Sequence, residues 1–209
     1  MSESDRLRAF RGRFPAALLS LVVLLGSGCH HQPLVDMTPL DSAGMGYDTI
    51  QQVKAQNATP SEVNELAKAR KGGLPDSACA QLLQIFRSRQ QPFNAGAAAA
   101  GLNGAGMQPQ TVVELAKLDQ LGLAWGEWEA MRLAGITDET ILEVARHHAA
   151  GKPAPSGASL AGMKNAGLRD ATLLELARRS IPDSQVSDII AARRRGVNDA
   201  EILRRFAGS

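Results

Sequence analysis

Apolar residues along most of this chain return at intervals of three and four, the spacing of one face of a helix. Ile50 pairs in this way with Val53, Val112 with Leu115 and Ala116, and Leu173 with Leu176 and Ala177. A second set reads Cys79 with Leu82 and Leu83, Ile141 with Val144 and Ala145, and Ile202 with Phe206. No stretch alternates convincingly as a strand, so the pattern predicts an all-α fold. The apolar runs are short, and the helices they predict are short too.

The breaks between runs follow a register. Gly44, Gly73, Gly106, Gly135, Gly167 and Gly196 lie 29, 33, 29, 32 and 29 residues apart, so alternate glycines are separated by 61 or 62. "GAGMQPQTVVELA" (104–116) returns in kind as "NAGLRDATLLELA" (165–177). Four places before each Gly stand Leu40, Ala69, Leu102, Met131, Met163 and Ala192, and one place after stand Met45, Leu74, Met107, Ile136, Leu168 and Val197. Twelve apolar residues in this frame describe a helix stopped by a left-handed Gly, with the residue beyond folding back on its last turn. Asp76, Asp138, Asp170 and Asp199, three places after their glycines, are expected to cap the next helix. Pro109 in the same place suits a first helical turn.

The chain therefore reads as tandem short helical hairpins, six Gly-stopped units in three copies of a repeat of about 62 residues: 43–104, 105–165 and a shortened 166–209. "QQPFNAGAAAAG" and "AAGKPAPSGASLAG" fit either short helices or flexible connectors.

The N-terminus follows another logic. Arg6, Arg8, Arg11 and Arg13 precede the apolar run Ala16 to Leu25, which is too short for a finished membrane span of about 20 residues. It ends in "LLGSGC", which resembles the lipobox of bacterial lipoproteins, with Gly26 where an aliphatic residue is usual. The resemblance covers the leader alone. It implies a signal peptide over 1–28 that is removed, lipidation of Cys29 with palmitate-type chains, and a tether over 29–42. With His30 rather than Asp after the Cys, the resemblance implies sorting to the outer membrane of a Gram-negative cell, facing the periplasm.

That leader accounts for the excess of positive charge. Without it the chain has 19 basic and 19 acidic residues, so no overall field draws it to nucleic acid. Lipidation of Cys29 leaves Cys79 without a disulfide partner, in a position that the other copies fill with Ile.

Candidate chemistry is sparse. "LAGITDETI" resembles the helix-hairpin-helix of DNA-binding proteins, which needs a second Gly to bring backbone amides onto a phosphate. Here that position holds Gly46, Pro75, Gln108, Thr137, Arg169 and Asn198, so one turn in six complies. His30–His31 and His147–His148 are adjacent pairs without a supporting ligand cluster, and no metal or cofactor is expected. No nucleophile motif is present, and the expectation is not an enzyme. Trp125 and Trp128 stand where the other copies hold Val63 with Leu66 and Val186 with Ile189. That places the pair on a packing face, with at least one indole edge expected at a partner surface. The composite expectation is a lipid-anchored envelope protein that binds another envelope protein or supports an assembly such as a secretion machine. The alternative is a nucleic-acid or cell-wall binder using the basic C-terminal end, with 8 Arg against 6 acidic residues from 167 onward.

Overall fold

The computed structural model describes residues 35–122 and 125–206. Twelve α-helices and no strand occur among them. In chain order they are α1 (Thr38–Ser42), α2 (Tyr47–Ala55), α3 (Pro60–Lys71), α4 (Asp76–Ser88), α5 (Gly96–Gly104) and α6 (Pro109–Lys117). They continue with α7 (Trp125–Leu133), α8 (Asp138–Ala149), α9 (Gly157–Asn165), α10 (Asp170–Arg178), α11 (Val186–Arg194) and α12 (Asp199–Phe206). The all-α expectation is met.

Local chemistry sets these boundaries. All six register glycines have positive φ, between 75° and 92°. At Gly135 the amide donates to Arg132 O at 2.9 Å and the next amide, Ile136 N–H, to Met131 O at 3.1 Å. The paired bonds recur at the other five glycines, from Gly44 with Met45 to Gly196 with Val197. They satisfy the last carbonyls of each helix and fold an apolar side chain onto it. Eleven of the twelve flanking residues are buried, and Val197 is half-buried. Helix starts are fixed more variously. Thr59 and Glu62 form a capping box ahead of Pro60, Pro109 occupies the first turn of α6, and the Ser156 hydroxyl accepts from Ser159 N–H.

The helices ahead of the connections between hairpins end by the same device, with glycine at one of the five places. Asn57, Gln90, Asp119 and Ser180 have φ of 52° to 61°, and Gly151 completes the set at 64°. Asn57, Asp119 and Ser180 share the long period of the chain. Asn and Asp tolerate the left-handed region better than other side chains, which is why these stops escape a search for glycine.

Odd-numbered helices pack on odd-numbered ones and even on even, so the six hairpins form two rows with the apolar stripes between them. No hairpin could bury its stripe alone. The Ala/Gly-rich second halves of both segments enter the odd row as α5 and α9, and residues 91–95 and 152–156 ahead of them are the connecting loops. Their composition serves close approach. A Cβ on Gly96 would lie 1.9 Å from the Glu65 carbonyl oxygen, and one on Gly72 would lie 2.3 Å from Ala100 Cβ. A Cβ on Gly157 would lie 2.5 Å from Glu127 Cγ.

One boundary changes. Thr38–Ser42 is helix α1 and Leu40 is fully buried, so the tether expected to reach residue 42 gives up its last residues to the body. Each successive set of four helices, α1–α4, α5–α8 and α9–α12, holds two of the register glycines in its first and third turns. Leu34–Ser209 packs as a compact unit.

The end hairpins differ from the interior where a neighbour is missing. Val113 and Ala116 of α6 are buried, whereas Gln51 and Lys54 in the same places of α2 are exposed. At the other end Leu82 and Val144 are buried, and Arg205 takes that place in α12. Polar outer faces on terminal hairpins keep a stack soluble.

Candidate functional site

The clearest polar constellation joins each pair of hairpins across adjacent Gly turns. Arg70 donates to Gly44 O (3.0 Å) and to its own turn at Leu74 O (3.3 Å). Arg132 repeats this with Gly106 O (3.0 Å) and Ile136 O (3.3 Å), and Arg193 with Gly167 O (2.8 Å) and Val197 O (3.3 Å). Each arginine also pairs with the Asp six places on: Arg70 with Asp76 (2.7 Å), Arg132 with Asp138 (3.4 Å) and Arg193 with Asp199 (3.1 Å).

The aspartates correct one expectation. Asp76, Asp138, Asp170 and Asp199 are first residues of their helices, and none caps its own helix start. Three reach the amide that begins the preceding hairpin's second helix instead. Gly46 N–H donates to Asp76 (2.6 Å), Gln108 N–H to Asp138 (2.8 Å) and Arg169 N–H to Asp199 (3.2 Å). Asp170 pairs with Lys164 (2.6 Å), and Asn198 caps α12 by accepting from Glu201 N–H (2.9 Å). The missed signal was R-x-x-G-x-x-D, which occurs at Gly73, Gly135 and Gly196 and at no other register glycine.

Asp199 is the most enclosed of the three, accepting also from the Thr172 hydroxyl at 2.6 Å. Burial opposes its charge. Thr172, the amide and side chain of Arg169, and Arg193 outweigh that and hold the carboxyl below the ordinary aspartate value. Glu62 is held low in the same way: burial works against its charge, and the Thr59 and Phe93 amides, Arg87 and the Thr59 hydroxyl prevail. Arg87 also donates to Gln56 O (2.7 Å) and Asn57 O (3.1 Å) at the end of α2.

Trp128 has no exposed surface, and its indole Nε1 donates to Gln120 O at 2.9 Å. It is core, which corrects the expected surface role for this residue. Trp125 is half-buried on the same helix, its ring fitting where Gly101 has no side chain; a Cβ there would lie 2.9 Å from Cζ3. An indole edge for a partner can come only from Trp125.

Cys79 is fully buried, and burial with the nearby Asp76 charge pushes its thiol up to about 12, which suits a packing residue. His147 is buried, with Nδ1 3.1 Å from the Ser180 hydroxyl and 3.3 Å from Pro153 O; Nε2 lies 3.4 Å from Glu143. His148 stacks obliquely near Trp128, with ring centroids 5.4 Å apart. Among the described residues no group of His, Cys, Asp and Glu is placed to hold a metal ion. Cys29, His30 and His31 lie outside the described residues.

At the basic end the arginines outnumber their partners. Arg169 and Arg193 share Asp199, Arg204 and Arg205 share Glu201, and Arg194 and Arg195 are exposed. Compared with known proteins, the chain matches no family model, no curated protein and no solved structure.

Proposed function

We propose that this chain is a lipoprotein of the bacterial envelope, anchored through Cys29 in the outer membrane and facing the periplasm. Its hairpin stack serves there as a protein-interaction or structural module. The observation that carries the reading is the leader: four arginines, a ten-residue apolar run, then Gly26, Ser27, Gly28 and Cys29. The body is consistent with it. Its conspicuous side chains are spent on the framework, with Cys79 and Trp128 in the core and the Arg–Asp pairs tying turn to turn. A two-row stack presents a broad face, the usual way in which repeat arrays recognise partners. Cells fed labelled palmitate should yield labelled protein, and Cys29→Ser should release it from the membrane fraction. Unlabelled wild-type protein would overturn the anchor. Crosslinking in intact cells followed by purification should recover a partner protein, and absence of any crosslinked species would count against an interaction module.

A further inference from the structure

The overall neutrality of the body conceals a polarised charge. Residues 92–151 hold seven acidic and three basic side chains, whereas 152–206 hold six acidic and ten basic ones. The positive excess collects on the last hairpin and the turn beside it: Arg169, Arg193, Arg194, Arg195, Arg204 and Arg205, with Asp199 and Glu201 as their paired carboxylates. Arg169 and Arg204 are 78% and 73% exposed at the side chain.

Arg193 is committed to the framework by its two carbonyl contacts. The other five are exposed at the side chain, Arg169 while paired with Asp199 and Arg204 and Arg205 while paired with Glu201.

We propose that this end of the stack is a docking face for anionic lipid headgroups. The inference rests on the lipid-anchor reading for its setting. Guanidinium groups match phosphate oxygens two by two and shed water more readily than ammonium. A spread of such groups suits a charged plane better than one shaped ligand. Few aromatic side chains accompany them: Phe206 is half-buried and no Trp or Tyr lies beyond Trp128, which disfavours stacking on single-stranded nucleic acid. Anchorage at residue 29 would keep the chain itself near the bilayer, so weak attraction is enough.

The test uses the unlipidated chain from residue 30, which contains the whole compact unit Leu34–Ser209. It is sedimented with vesicles of phosphatidylcholine alone or with one third phosphatidylglycerol, at low and at physiological salt. Binding is expected only to the anionic vesicles, and should weaken as salt screens the charges. Arg194→Gln with Arg195→Gln should lower the partition coefficient roughly 30-fold, since each arginine near an anionic surface contributes a factor of about five. Arg204→Gln, which leaves the Glu201–Arg205 pair in place, should lower it roughly fivefold. Thermal melting checks that both variants fold. No binding at low salt, equal binding to both vesicles, or unchanged partition of folded variants would each overturn the proposal. Tighter binding to a DNA oligonucleotide than to anionic vesicles would replace it with the nucleic-acid reading. None of these outcomes depends on palmitate labelling, so the two proposals fail separately.

Discussion

Three copies of one Arg–Asp device, buried to different depths, provide a graded experiment. Replacing Asp76, Asp138 and Asp199 by Ala removes the same acceptor from the same place in each four-helix set. The Asp side chains are 27%, 19% and 4% exposed. Each loss strands a backbone amide in the preceding turn and leaves an arginine without its carboxylate. A hydrogen bond to a charged group contributes about 1.5 to 3 kcal/mol when enclosed and much less when solvated. Asp199→Ala also strands the Thr172 hydroxyl, a buried donor. We therefore expect a loss of about 3 kcal/mol at Asp199, about 2 at Asp138 and about 1 at Asp76. Urea unfolding followed by helical circular dichroism, with midpoints and slopes fitted separately, measures this. Separate slopes matter because a terminal pair of hairpins can unfold before the rest. The pH dependence supplies a second arm. The folded carboxyl of Asp199 lies below its unfolded value, so its contribution is present above about pH 4. It is lost as the pH falls through the depressed folded value. The gap between wild type and Asp199→Asn should close in strong acid. An inverted order, or a loss under about 1 kcal/mol at Asp199, would refute the view that these aspartates staple neighbouring turns.

Other substitutions test separate parts of the fold. Gly96→Ala should destabilise by about 3 kcal/mol or more, because the added methyl meets the Glu65 backbone, as thermal melting would show. Gly135→Val should lose about 1 to 3 kcal/mol from backbone strain alone, since the nearest atom to an added Cβ is Lys164 Cε at 3.9 Å. Gln90→Gly, at φ 58°, should instead stabilise by up to about 1 kcal/mol, and a lower melting temperature would contradict the left-handed stop. Iodide should quench Trp125 fluorescence and leave Trp128 unaffected in single-Trp variants. Trp128→Leu should be the more destabilising of the two changes.

Much of the architecture was legible in the sequence because its causes are local. A left-handed Gly after a helix, with an apolar residue on either side, depends on a few adjacent residues, and Gly44 through Gly196 announced six such stops. Helix periodicity is local in the same sense, so Ile141 with Val144 and Leu173 with Leu176 pointed to the core they fill. The basic and apolar leader on which the lipoprotein proposal rests is likewise a pattern of contiguous sequence. Other features depended on what stands across a turn or a row. Asp138 reads as a cap for the helix it begins, and only the neighbouring turn makes it an acceptor for Gln108 N–H. "GAAAAGLNG" has the composition of a linker, and forms helix α5, where its small residues allow close approach to Glu65 at Gly96 and to Trp125 at Gly101. Trp128 stands where Leu66 and Ile189 stand elsewhere, so its packing face was legible, but which of the two indoles keeps an exposed edge was not. Short-range backbone geometry thus wrote the hairpins into the sequence. Their stacking distributed burial, charge and the polar contacts, because those depend on distances between residues about thirty positions apart.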